Sequence, residues 1–203
     1  LIADVYADVL VLKLYSAIWF PYFDDLLPLL LEISHCKTLV LRMSRGLLQI
    51  ESPWKDGQVL IGKLENENVL FKEHGLTFSA NVVHGHKTGY FLDHRHNRLK
   101  IGKLARGKKV LDVFAYAGGF SVHALAGGAR EVVSLDISKP ALEAAMYNAS
   151  LNPHNGTHRT IAADAFKGLD ELIQNGELFD IVVIDPPSFA KQESEIPSAI
   201  NSY

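Results

Sequence analysis

Cysteine is nearly absent from this 203-residue chain, where Cys36 stands alone. One thiol excludes an intrachain disulfide and a cysteine metal cluster, and it points to a reducing, cytoplasmic setting. Long apolar runs are lacking too. The most hydrophobic stretch, residues 17–33, is broken by Pro21, Asp24, Asp25 and Pro28, so it falls short of the ~20 uninterrupted residues that a membrane-spanning helix needs. Neither sign of charge dominates, with 20 Lys and Arg against 23 Asp and Glu for a net −3. That balance removes any global attraction to nucleic acid or anionic membrane and leaves only local patches to provide one. No internal repeat or low-complexity tract interrupts the sequence, and 48% hydrophobic against 21% charged residues excludes disorder as the main state. The chain opens at Leu1 with neither an initiating methionine nor a basic-then-apolar leader, and so reads as part of a longer protein.

What is present falls into two patterns. Residues 1–85 read as a small α+β domain, with strand-like runs at 9–14 and 38–43 flanking a helix over 24–35 for which Asp24 is a plausible N-cap. Runs at 69–72 and 76–83 are expected to complete the sheet after a polar turn region at 55–62. From residue 86 onward the pattern becomes alternating strand and helix. Strands are expected at 109–114, 131–135, 160–163 and 179–184, with helices over 120–126, from the Ser138 cap to 151, and from Asp164 to 173. Apolar strands alternating with helices imply a parallel sheet covered on both faces, an α/β architecture.

In such a sheet ligands bind outside the carboxyl ends of the strands. Asp112, Asp136, Asp164 and Asp185 each fall at or near that end of one of four successive strands. A single strand-end aspartate is as readily a helix cap or turn former, but four in register point to a site. Asp136 is the sharpest, because a carboxylate at the tip of the second strand can accept from both hydroxyls of a ribose. The ligand is therefore expected to carry a nucleoside. Gly118 and Gly119 follow the first strand and, lacking Cβ, are expected to let the ligand approach the backbone. The turn does not match G-x-G-x-x-G, which weakens a dinucleotide reading. Asp185-Pro186-Pro187-Ser188-Phe189 makes a stiff, extended exit from the fourth strand, able to hold Asp185 toward a substrate.

Val110-Leu111-Asp112-Val113-Phe114-Ala115-Tyr116-Ala117-Gly118-Gly119-Phe120-Ser121, with Asp136, the Ala163-Asp164-Ala165 step and Asp185-Pro186-Pro187-Ser188-Phe189, resembles motifs I to IV of class I S-adenosylmethionine-dependent methyltransferases. More narrowly, Lys87-Thr88-Gly89-Tyr90-Phe91-Leu92-Asp93-His94-Arg95 resembles the bacterial large-subunit (23S) ribosomal RNA cytosine-C5 methyltransferase family. The resemblance covers residues 60–203 well and the first 60 more loosely, as that family's central domain between an RNA-binding PUA domain and the catalytic domain. It implies a Rossmann-like core in residues 86–203, of which four of seven strands are accounted for, with S-adenosylmethionine as cofactor and ribosomal RNA as partner. It also implies that the glycine turn, with Phe114, Tyr116, Gly118 and Gly119, borders the methionine part of the cofactor together with Asp112. Asp136 would hold the ribose, Ile137 and Asp164 would flank the adenine, Asp185 would lie between cofactor and target base, and Arg95 would join the cofactor ligands.

Cytosine C5 is a poor nucleophile, so enzymes of that family add a cysteine thiolate to C6 first. Residues 86–203 contain no cysteine, and Cys36 at an apolar helix end reads as an inert buried thiol. The resemblance places the nucleophile beyond the Asp-Pro-Pro motif, so this chain by itself is expected to be inactive. A non-catalytic cofactor- or RNA-binding module is the alternative, and a nucleotide-dependent oxidoreductase a weaker one. Residues 84–109 hold eight lysines and arginines, among them Arg95, Arg98, Lys100 and Lys103, against the single Asp93. That block is expected to meet RNA phosphates. His84, His86, His94 and His96 in the same stretch lack i, i+4 spacing and a nearby cysteine, so no metal site is expected.

Overall fold

Consecutive apolar residues make strands that bury both faces, and two such runs organise the first part of the chain. In the computed structural model, which describes residues 1–188, Val9–Leu14 (β2) pairs in parallel with Thr38–Met43 (β3). Ile2–Tyr6 (β1) and Val59–Ile61 (β4) flank them antiparallel, giving the order β1-β2-β3-β4. The crossover from β2 to β3 runs through a 3₁₀ segment, Ala17–Tyr22, and helix α1, Phe23–Ser34. Phe23 and Leu27 of α1 pack with Leu10, Leu12, Leu14, Leu39 and Leu41, and Cys36 is buried in the same core.

Two details of this unit differ from expectation. The N-cap of α1 is Tyr22, without a side-chain cap bond, and Asp24 and Asp25 stand in the first turn, where their charges complement the helix N-terminus. The runs expected to complete the sheet pair instead with each other, as the hairpin β5 (Asn68–Glu73) and β6 (Leu76–Asn81). His74 and Gly75 both take positive φ, 49° and 86°, the conformation of a two-residue turn that returns the chain directly alongside itself. The place beside β3 goes to β4, inside the stretch read as a turn.

The chain divides into two units after Arg95. Residues 87–90 are held by first-unit partners. The Tyr6 hydroxyl accepts the Tyr90 N–H at 3.1 Å and lies 2.9 Å from the Thr88 hydroxyl, which donates to Asp4 at 2.6 Å. Tyr6, Phe71, Phe78 and Tyr90 form an aromatic cluster with centroid separations of 5.1–5.8 Å.

The second unit is the expected parallel α/β arrangement. Helix α2 (Arg95–Leu104) leads into β7 (Lys109–Val113), α3 (Gly119–Ala126), β8 (Glu131–Asp136), α4 (Lys139–Ser150), β9 (Thr157–Ala162), α5 (Ala165–Gln174) and β10 (Ile181–Ile184). All pairings are parallel, in the order β10-β7-β8-β9. Ser138 caps α4, accepting the Ala141 N–H at 3.3 Å. One face of the sheet carries Leu111, Val113, Val133 and Leu135 against Ala165 and Leu172 of α5. The opposite face, against α3 and α4, carries Asp112 and Ser134. β9 begins earlier than expected because its first residues, Thr157-His158-Arg159, are polar and give no apolar signal.

The strand starts are tied by charge. Lys109 Nζ lies 2.8 Å from Glu177 and 3.3 Å from Glu131, Arg159 reaches both of those carboxylates, and Asp180 accepts the Lys109 backbone N–H at 2.7 Å. Hydrogen bonding to Lys109 leads the causes that lower the Glu177 carboxyl. An exposed ion pair contributes roughly 0.2–1 kcal/mol, and Glu177 serves two cations. Glu177→Gln is therefore expected to lower unfolding stability by about 1 kcal/mol in urea, and the loss should shrink as salt screens the wild-type pairs. Equal stability of the two proteins at low salt would contradict this.

Candidate functional site

The carboxyl end of β7 runs on toward α3 through a turn that departs from ordinary backbone geometry. Phe114 and Tyr116 hold positive φ, 63° and 47°, followed by Gly118 at 74°. Two non-glycine residues in the left-handed region store local strain, which persists only where surrounding bonds hold it. Asp136 supplies them. Its Oδ2 accepts the Tyr116 N–H at 2.8 Å and its Oδ1 the Ser138 N–H at 2.9 Å, while the Leu135 carbonyl accepts from Ala115 at 3.1 Å. Each carboxylate oxygen keeps capacity for a further hydrogen bond, so Asp136 is a rigid double acceptor at the tip of β8.

A Cβ on Gly118 would lie 2.7 Å from the Ala145 Cβ, so its bare backbone serves the close packing of α3 on α4 as well as the turn. Asn148 of α4 donates to the Ala117 carbonyl at 2.9 Å and pins the turn from behind.

Asp112 is 1% exposed. Its Oδ2 accepts the Ser121 hydroxyl at 2.6 Å and the Ser121 N–H at 3.1 Å. Burial above all, with the charges of Asp185 and Asp136 adding to it, pushes its carboxyl up to about 7 against the pull of the Ser121 bonds the other way. Ser121 continues to Ser134 at 2.7 Å, and Ser134 to His158 Nε2 at 2.8 Å. Burial holds the His158 ring down at about 4, with His154 adding to the effect.

Of the residues singled out from sequence, Asp112, Phe114, Tyr116, Gly118, Gly119, Asp136 and Ile137 stand at or just beyond the ends of β7 and β8. Ile137 is 75% exposed beside Asp136. Asp185 directly follows β10, whose last residue pairs with Val113. Asp164 accepts the Lys167 N–H at 3.3 Å as the N-cap of α5. Arg95 is exposed at the first position of α2, in the other unit. Phe189 lies outside the described residues. Arg98 is 3% exposed, which withdraws it from the proposed phosphate-contacting set. It shares the buried face of α2 with Gly102, four residues on. The sequence alone gives Ser121 no role beyond its place in the glycine-turn motif and passes over Ser134 and His158, although a serine inside Val132-Val133-Ser134-Leu135 is the signal that could have flagged Ser134. Among the described residues no three His, Cys, Asp or Glu side chains group as a metal site, and no helix is long and apolar enough to cross a membrane.

A doubly wound parallel sheet with a glycine turn and acceptor carboxylates at its strand ends defines a nucleoside-binding α/β protein. Residues 37–197 match the S-adenosylmethionine-dependent methyltransferase family, and the chain belongs to it. A ribosomal RNA large subunit methyltransferase of Deinococcus radiodurans is 44% identical over the whole chain and half of that protein. Ribosomal RNA large subunit methyltransferase I of Vibrio cholerae is 41% identical over 71% of this chain and 37% of its own length. The chain thus spans half or less of the length of these relatives. The crystal structure of a protein assigned as a methyltransferase, complexed with SAH, shares the fold over 95% of this chain and 49% of its own, at 24% identity and a TM-score of 0.79. A Streptococcus mutans protein assigned as a SAM-dependent methyltransferase does so over 98% of this chain and 53% of its own, at 22% identity and 0.78.

The Asp112 carboxyl holds its proton more tightly in the folded chain than in the unfolded one. Its contribution to stability is therefore complete below about 4 and is lost as pH rises toward about 7. Asp112→Asn removes the titration and leaves His158, whose effect runs the other way, common to both proteins. Urea unfolding should show wild type losing stability relative to Asp112→Asn between pH 4.5 and 7.5, by a few kcal/mol at most. A difference independent of pH would show that this carboxyl is not perturbed.

Proposed function

We propose that the strand-end site of the second unit binds S-adenosylmethionine, and that the whole protein uses it to methylate large-subunit ribosomal RNA at cytosine C5, in the cytoplasm. The observation that carries the reading is Asp136, held by two main-chain donors with both oxygens at the tip of β8, where a ribose diol needs two acceptors on one rigid residue. Ile137 offers an apolar surface beside it for the adenine, with Asp164 near the neighbouring strand end. The glycine turn and Asp112 border the methionine part, and Asp185 stands where a target base would approach. The bound cofactor would supply an electrophilic methyl group. The residues here would bind and orient it.

The names of the relatives support the ribosomal RNA reading. The C5 assignment rests on the resemblance of residues 87–95, and it requires a thiolate that Cys36, buried in the first unit, does not provide. We infer that the nucleophile comes from outside these 203 residues. The chain alone then acts as a cofactor- and RNA-binding module.

Asp136→Ala is expected to weaken S-adenosylmethionine binding in calorimetry by the ~1.5–3 kcal/mol of hydrogen bonds to a charged group, with circular dichroism unchanged. Wild-type affinity in the folded variant would remove Asp136 from the site. Lys100 and Lys103 are exposed on α2. Replacing both with Gln should flatten the salt dependence of RNA binding by roughly 0.7–0.9 log units per lost phosphate contact. An unaltered slope would make them ordinary surface charges.

A further inference from the structure

Asp112, Ser121, Ser134 and His158 form one hydrogen-bonded file across the polar face of the second sheet, with successive contacts of 2.6, 2.7 and 2.8 Å. Both serines are fully buried. A serine hydroxyl has one proton to donate, so at the Oδ2 atom that meets Ser121 the file runs in one of two directions, toward the carboxylate or away from it. With Asp112 ionised, Ser121 donates to it, Ser134 donates to Ser121, and His158 donates from Nε2. With a proton on Asp112 directed at Ser121, every donor reverses, Nε2 becomes an acceptor, and the ring proton moves to Nδ1. His158 Nδ1 is buried with no hydrogen-bond partner among the described residues. The first filling leaves a lone pair unsatisfied there. The second strands an N–H donor, the rarer and costlier defect in a buried site.

We propose that Ser121, Ser134 and His158 are positioning residues that hold Asp112 ionised, and that this buried charge sets the affinity of the strand-end site for its cationic ligand. The proposal rests on the reading of that site as one for S-adenosylmethionine. The charges facing Asp112 are Asp136 at the end of β8 and Asp185 after β10, so a cation placed among these carboxylates is coupled to Asp112 as they are. Burial and both neighbours oppose ionisation, and the donated hydrogen bonds are the counterweight. His158 faces His154. The other titratable group of α3, His123, lies against Gly102. Lys139 and Glu143 on α4 and Lys167, Asp170 and Glu171 on α5 are exposed to solvent.

The test is calorimetric titration of the 203-residue chain with S-adenosylmethionine from pH 5.5 to 9, alongside the carboxyl carbon shift of Asp112 in labelled protein without ligand. Wild-type affinity should rise with pH up to about tenfold per unit below the Asp112 midpoint, with protons released on binding. Ser134→Ala and His158→Leu remove a donor from the file. Each should move both the binding profile and the carbon midpoint upward, so that affinity falls about three- to tenfold at pH 7 and recovers at pH 9. Ser134→Thr and His158→Gln keep a donor and should stay near wild type. A loss of affinity equal at every pH would mean a merely structural role and overturn the proposal. Binding with profiles that coincide across the variants would overturn the relay and leave the cofactor reading standing. No binding by wild type at any pH would overturn the cofactor reading and this proposal with it.

Discussion

A carboxylate taken out of water must be repaid with hydrogen bonds or give up its charge, and the second unit is arranged around that demand at Asp112. Parallel pairing of β7 with β8 sets Asp112 directly opposite Ser134. The first turn of α3 brings Ser121 over the pair with both its N–H and its hydroxyl on one carboxylate oxygen. That arrangement determines where α3 starts, and hence where the chain between β7 and α3 has to turn.

The turn is short, so its residues take left-handed backbone at Phe114, Tyr116 and Gly118. Asp136 on the next strand holds the strained segment by accepting from Tyr116. The two aspartates thus divide the work. One is buried and anchors the helix from beneath, and the other is at the rim with acceptor capacity to spare. The ion pairs among Lys109, Glu131, Arg159 and Glu177 lie at the opposite end of the same strands. They align the strands without adding charge to the ligand end.

The first unit follows a different rule. Its central strands bury both faces, and the charge that β3 carries inward is met by acceptors. Arg42, itself buried, reaches Asp56 at 3.1 Å and the Gly85 carbonyl at 2.9 Å, and Tyr6 gathers Thr88 and Tyr90. Residues 87–90, which carry the most specific sequence resemblance, are thereby fastened to this unit.

The sequence by itself determined the parallel α/β core, because apolar strands punctuated by helix caps at Ser138 and Asp164 leave little other way to bury both faces. It also located Asp112, Asp136 and Asp185, since strand ends can be read from where the apolar runs stop. Tertiary structure alone decided the rest. Which strand lies beside which separated the β5–β6 hairpin from the first sheet, and no local pattern records that a nearer partner is available. Helical phase turned Arg98 inward from a run of cations that looks uniformly exposed. The file from Asp112 to His158 joins residues from three strands and a helix, up to 46 positions apart. Side chains on neighbouring strands meet only through register, a property of the assembled sheet that no single segment carries.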